Sequence, residues 1–260
     1  MFDIALINEI ITQAGHIALR HFLEVDPTWK DNQTYVTEAD LAVQAFLRET
    51  FERHYPNDGF VAEENDVRTA PRSGSRFWVV DPIDGTASFS AGLPVWGVGI
   101  GLVEDGQPVA GFFHAPAVDD LFYTTPDGRV FRNGRPVHMR QPGPLHRESS
   151  LFIASRLHRY YRVSPDYPGK LRNLGSSIAH LCYIAGGNAD AALLERVHIW
   201  DIAAGMAMLV LNGGVLHYID GTPVRLEPLL SGEQVPLPML GGHPETVAKF
   251  RSLIAYGGEL

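Results

Sequence analysis

The chain has 260 residues, 45% of them hydrophobic and 20% charged, and 21 lysines and arginines against 30 aspartates and glutamates leave a net charge of −9. A chain of this kind buries a full core. No apolar run approaches the roughly 20 residues that span a bilayer, and there is no basic stripe for a nucleic-acid backbone. A single cysteine, Cys182, excludes an internal disulfide and a multi-cysteine zinc site, and Asn188 stands where a tyrosine-phosphatase-type nucleophile needs its arginine six residues on. The acidic excess suits a protein that binds cations.

The N-terminal stretch MFDIALINEIITQAGHIALRHF carries Asp3 and Glu9 early and sets Ile7, Ile10, Ile11, Ala14 and Ile17 at helical spacing. It reads as an amphipathic helix over about 2–22 rather than a signal peptide, so a cytoplasmic location is expected. Glu38 to His54 reads as a second helix, capped by Thr37 and stopped before Pro56. From Phe77 to about Phe131 short apolar runs are punctuated by Asp105-Gly106 and Asp127-Gly128, with Asn133-Gly134 following. These are hairpin signals for a largely antiparallel sheet. The segment Arg140 to Ser149, RQPGPLHRES, breaks the pattern, and the chain is expected to divide there into halves at 1–143 and 144–260. Beyond it come a strand over Leu151 to Ala154, a helix over Ser177 to Ala185, a strand over Ala189 to Leu194, a helix over Ile202 to Leu211 and a strand over Val215 to Tyr218. That alternation predicts an α/β half.

The chemistry is concentrated in FWVVDPIDGTASFSAGLP, residues 77–94, where an apolar strand runs into Asp81 and Asp84 with Gly85-Thr86 behind them. Three other segments place acids at element ends: VAEEND supplies Glu63 and Glu64, VTEAD supplies Asp40, and HIWDIAAG supplies Asp201. Each has a bland reading in isolation. Asp40 completes a capping box with Thr37, Asp201 suits a helix N-terminus, Glu63-Glu64 suits solvent and Asp84-Gly85 suits a turn. Together they point to convergence, and converging carboxylates repel one another unless cations lie between them. Hard oxygen ligands select Mg²⁺ or Mn²⁺, completed by water and phosphate oxygens.

The stretches WVVDPIDGTASF, AEE and WDIAAGMAMLVLNGG closely resemble the inositol monophosphatase family of metal-dependent phosphatases. The resemblance runs from TWKDNQTYVTEAD through LGSSIAHLCYIAGGNADAAL to GGVLHYIDG, roughly residues 30 to 220. It implies a five-layer α/β/α/β/α sandwich, commonly homodimeric, with the site between the halves. It also implies hydrolysis of a small phosphorylated metabolite by an activated water, two to three Mg²⁺ ions, and sensitivity to lithium. By the same resemblance Glu63, Asp81, Asp84 and the Ile83 carbonyl hold the first two metals, with Asp201 completing the second. Glu64 and Asp40 hold a third through water. Thr86 with Asp40 orients and deprotonates the attacking water, the N–H groups of Gly85 and Thr86 receive the phosphate, and Gly175 and Ser176 approach the substrate.

The family's glutamate seven residues before the metal-binding aspartate contacts the sugar ring, and here that position is Leu194. Glu195 is adjacent, but a one-residue offset in a strand turns it to the opposite face, so it replaces the contact only if the backbone shifts. This puts inositol in doubt, and histidinol phosphate, a sugar bisphosphate or a nucleotide 3′-phosphate are the alternative substrates. Arg196 and His198 are further groups that a different alcohol or a second phosphate would meet. Two other readings compete. The aspartyl-phosphate motif of haloacid-dehalogenase-type phosphatases sets its aspartates two residues apart, against three here. A purely binding role is opposed by the complete ligand set and Thr86.

Overall fold

The computed structural model describes residues 2–24, 27–29, 35–64 and 67–257; residues 30–34, in the middle of the stretch TWKDNQTYVTEAD, lie outside the described residues. In chain order the elements are α1 (Ile4–His21), β1 (Thr28–Trp29), β2 (Tyr35–Val36), α2 (Glu38–His54), β3 (Gly59–Ala62), β4 (Arg68–Thr69), β5 (Arg76–Asp84) and α3 (Thr86–Ser90). There follow β6 (Gly97–Glu104), β7 (Gln107–Ala115), β8 (Asp120–Thr124), β9 (Val130–Arg132), β10 (Arg135–Pro136), β11 (Ser150–Ile153), β12 (Tyr161–Val163) and β13 (Lys170–Arg172). The last are α4 (Ser177–Ala185), β14 (Ala191–Leu194), α5 (Ala203–Leu211), β15 (Val215–Tyr218), β16 (Met239–Gly242), α6 (Pro244–Ser252) and β17 (Ile254–Tyr256).

Eight strands form one sheet in the order β10-β9-β8-β7-β6-β5-β3-β4, and five form a second in the order β13-β11-β14-β16-β15. Helices α1 and α2 cover the outer face of the first sheet, α4 and α5 fill the space between the sheets, and α6 covers the second. The result is an α/β/α/β/α sandwich, the layering that the resemblance implies. Each interface has its own apolar filling. Ile7, Ile11, Val43 and Leu47 meet Trp78, Ile100 and Phe112 on the outside, Leu181, Leu194, Met206 and Leu209 pack between the sheets, and Leu240, Val247 and Phe250 lie under α6.

Two features of this arrangement build the site. First, the strands that run parallel end at the same place: β3 and β5 in the first sheet, and β13, β11 and β14 in the second. Ligands of α/β sheets gather outside such carboxyl ends. Second, α5 lies flush on the first sheet, because β6 and β7 present glycines beneath it. A Cβ on Gly111 would sit 2.1 Å from the Ala204 carbonyl oxygen, and one on Gly101 would sit 2.7 Å from the Ala203 Cβ. This close approach carries the start of α5, and Asp201 just before it, onto the end of β5.

Candidate metal centre

Asp81 and Asp84 are three residues apart, and in a regular strand that spacing would put them on opposite faces. The strand is not regular there. Asp81 pairs with Gly99 and Asp84 with Gly97, so three steps on β5 oppose two on β6, a bulge with one extra residue. Pro82 sits inside it, where a residue without an N–H costs no ladder bond. The bulge returns Asp84 to the side of Asp81, and α5 brings Asp201 to both: ligand oxygens of Asp81, Asp84 and Asp201 all lie within 4.8 Å of one another.

The electrostatics of this cluster are those of a cation site. Both carboxylate oxygens of Asp81 are buried without a hydrogen-bond partner among the described residues. Burial first, and then the charges of Glu63, Asp84, Asp201 and Asp40, push the Asp81 carboxyl well above the usual carboxylate range. Asp84 is raised to about 7 by burial and by Asp201, although bonds from Ser176, Ile178 and Ser177 oppose the shift. Those bonds fix its orientation: Ser176 Oγ donates to Oδ2 at 2.5 Å, the Ile178 N–H to the same oxygen at 2.6 Å, and the Ser177 N–H to Oδ1 at 3.1 Å. A buried carboxylate that accepts no hydrogen bond, faced by four other acids, is stable only with a positive charge at hand. The residues therefore fit a divalent metal ion held by oxygen ligands.

Around this centre the other acids are placed by α2 and β3. The Thr37 N–H and hydroxyl donate to Asp40 Oδ2 at 2.8 and 2.6 Å, so one carboxylate oxygen caps the helix and the other faces inward. That second oxygen, Oδ1, lies 3.3 Å from Thr86 Oγ1, which also lies 3.0 Å from the Ile83 carbonyl oxygen. One hydroxyl proton serves these two acceptors. Glu63 and Glu64 follow the end of β3, the first half-buried and the second buried. Glu64 is fixed by Gln44, whose amide donates to the Glu64 carbonyl and accepts from its N–H, both at 2.8 Å. Gly85 adopts φ +95°, a conformation that a side chain resists, and a Cβ there would meet the Gly175 carbonyl oxygen at 2.9 Å.

Two expected substrate groups are placed differently. Ser176 is buried and its hydroxyl is already used, donating to Asp84 and accepting from the Ala179 N–H at 3.0 Å as the cap of α4. Its hydroxyl is a support for Asp84. Glu195 lines a separate groove of about 310 Å³ with Tyr160, Tyr161, Arg196 and Tyr256, none of which belongs to the acidic cluster. This is the opposite-face outcome of the offset from Leu194, which is itself buried in the apolar layer between the sheets. Gly175 stays at the site, held by its N–H on Asn173 Oδ1 at 2.6 Å.

Two supporting residues escaped the sequence reading. Gln44 lies four residues after Asp40 on α2, on the same buried face, and a polar side chain at that spacing was the available signal. His180 of α4 accepts the Leu174 N–H on Nε2 at 3.0 Å and stacks on Phe152, with ring centroids 4.9 Å apart. Burial lowers its pKa to about 4, so it is neutral and holds the backbone just before Gly175.

A two-sheet sandwich with an acidic, metal-fitting centre between its sheets defines a class of metal-dependent phosphatases. A model of the inositol monophosphatase family matches residues 4–247, and the chain belongs to that family of phosphatases. It is 31% identical over 249 residues to an inositol-1-monophosphatase of Mesorhizobium japonicum, covering 89% of this chain and 92% of that one. It is 32% identical over 203 residues to a histidinol-phosphatase of Mycobacterium tuberculosis, covering 74% and 77%. The fold is shared with an IMPase of Thermotoga maritima, whose structure matches with a TM-score of 0.79 over 96% of both chains at 24% identity.

Proposed function

We propose that the protein is a Mg²⁺-dependent phosphomonoesterase acting on a small polyol or related metabolite phosphate, with Mn²⁺ as a substitute ion. The observation that carries this reading is the buried, unbonded carboxylate of Asp81 amid four other acids. In this reading Glu63, Asp81, Asp84, Asp201 and the Ile83 carbonyl hold two ions, and Glu64 and Asp40 hold a third through water. When bound, the ions neutralise the phosphoryl oxygens and the departing alkoxide and make water acidic enough to react near neutral pH.

The protein's own groups do the rest. Thr86 Oγ1, bonded to Asp40, accepts a proton from the attacking water as its own hydroxyl proton passes to the Asp40 carboxylate, and this pairing aims the water in line with the scissile bond. The N–H groups of Gly85 and Thr86 bind phosphate oxygens, and Gly85 admits the ester because it has no side chain. The P–O bond to the alcohol breaks as the bond to water forms, giving inorganic phosphate and the free alcohol. The two halves, divided near residue 143, meet at this site: the first brings the nucleophile and most metal ligands, and the second brings Asp201 and the contacts to the alcohol. A cytoplasmic homodimer inhibited by lithium completes the reading. Among the described residues no helix is long and apolar enough to cross a membrane.

The experiment is phosphate release with Mg²⁺ and with chelator from inositol 1-phosphate, histidinol phosphate, fructose 1,6-bisphosphate, adenosine 3′,5′-bisphosphate and glycerol 2-phosphate. Metal-dependent turnover of one ester well above the rest is expected. No turnover of any, with either metal, contradicts the reading.

A further inference from the structure

Because β13, β11 and β14 run parallel, their following loops leave the second sheet along one edge. Two of these loops already belong to the centre. Residues 173–176 lead to the bonds on Asp84, and residues 195–202 carry Asp201. The third, residues 154–160 after β11, lies between them in the strand order β13-β11-β14. It contains no acid, and it carries Arg156 and Arg159, both exposed.

The loop is tied to its neighbours on both sides. Asn173 Nδ2 donates to Ser155 Oγ at 2.6 Å while Asn173 Oδ1 accepts the Gly175 N–H at 2.6 Å, so Arg156 begins two hydrogen bonds from the glycine that packs on Gly85. On the other side Arg196 Nη1 donates to the Tyr160 hydroxyl at 3.2 Å. Arg196 holds φ +55°, a left-handed conformation that a side chain disfavours, and Gln234 Nε2 pins its carbonyl at 3.0 Å. Arg172, at the end of β13, is a fourth exposed guanidinium on this edge.

Arginines at surfaces are ordinarily explained by ion pairs or solubility. Among the described residues Arg156 and Arg159 are in no ion pair, and a chain with net charge −9 has no need of extra cations on the rim of an acidic site. A neutral polyol offers such groups only uncharged hydroxyl acceptors, whereas phosphate and carboxylate match a guanidinium by charge and by paired N–H geometry. Resting on the phosphatase reading above, we propose that the Arg156–Arg159 loop recognises a second anionic group, phosphate or carboxylate, on the alcohol part of the substrate. The substrate class is then a phosphate monoester with a second anion, and the specificity lies in residues of the second sheet's edge.

The test compares glycerol 2-phosphate, 2-phosphoglycerate, which differs by one carboxylate, and fructose 1,6-bisphosphate, each with Mg²⁺. The wild-type protein is expected to prefer at least one of the two dianionic-plus esters by about tenfold in kcat/KM. Which of them it prefers separates carboxylate from phosphate. R156A/R159A is expected to abolish that preference through KM, leaving kcat and all glycerol 2-phosphate constants unchanged, while R156K/R159K retains most of it. Equal use of all three esters by the wild type, or an equal loss on all three in the double variant, overturns the proposal. If none of these three esters is hydrolysed, the phosphatase reading is judged on the wider panel above. Calorimetric binding of the three esters to the Mg²⁺-loaded protein then decides, and equal affinities overturn the arginine assignment.

Discussion

The two sheets contribute opposite kinds of surface to one site. The first ends in carboxylates that are buried, fixed by a bulge, a helix cap and the Gln44 bridge, and committed to holding cations. The second contributes one acid, Asp201, and otherwise loops whose exposed charged groups are arginines. The difference separates two tasks. Chemistry that depends on distances of a few tenths of an ångström sits on strand ends and buried polar bonds, and recognition of the alcohol sits on loops that can change without disturbing it.

The sharpest way to break that division is to remove chemistry from the first sheet without altering its packing. Thr86→Val keeps the shape of a half-buried side chain and deletes the hydroxyl between Asp40 and Ile83. We expect kcat to fall by about 10³-fold, within the usual range for a lost proton-transfer group, with KM and thermal stability nearly unchanged. A comparable fall in Tm would show that the threonine is mainly structural. Next in size is the junction itself. Gly111→Ala places a methyl against the Ala204 carbonyl, which must move, and overpacking of this kind costs about 1–3 kcal/mol. Tm measured by calorimetry should drop by about 2–12 °C, and activity should fall with it as Asp201 shifts from Asp81. Unchanged activity would mean that the placement of α5 does not set the site.

The smallest effect is the coupling of metal to pH. Asp84 is raised to about 7 from an ordinary 3.8, and Asp81 is also raised well above 3.8, so the metal-free folded state retains protons that the unfolded chain releases. The stabilisation from those protons is full below about pH 4 and is lost as pH rises through about 7. Buried His180 acts in the opposite sense, since its lowered pKa makes the folded state gain stability as pH rises from about 4 towards 6.5. The clean readout is therefore the difference in Tm between Mg²⁺ and chelator, in which His180 cancels. It should grow by a few degrees from pH 5 to pH 7.5 and then level off. A difference independent of pH would remove the raised carboxylates from the metal site.

Much of this was legible in the chain. The periodicity of α1 and α2, the Asp-Gly and Asn-Gly hairpins and the apolar helices α4 and α5 all signal themselves locally, and so do acids standing at element ends. What was not legible depends on contacts far apart in sequence. The bulge at Pro82 is defined by Gly97 and Gly99 on a neighbouring strand. Strand β16, MLGG, sits between β14 and β15 yet shows neither alternation nor β-branched residues, and only its pairing reveals it. Ser176 looked available because its sequence context cannot show that Asp84, 92 residues away, takes its hydroxyl.

The most direct measurement is Mg²⁺-dependent phosphate release by the wild-type protein and by Asp81→Asn, with metal binding followed calorimetrically in both. The account predicts turnover that disappears with chelator, a loss of at least about 10³-fold in the variant, and weakened Mg²⁺ binding in a protein that remains folded. Full activity in Asp81→Asn, or turnover indifferent to Mg²⁺, would contradict it.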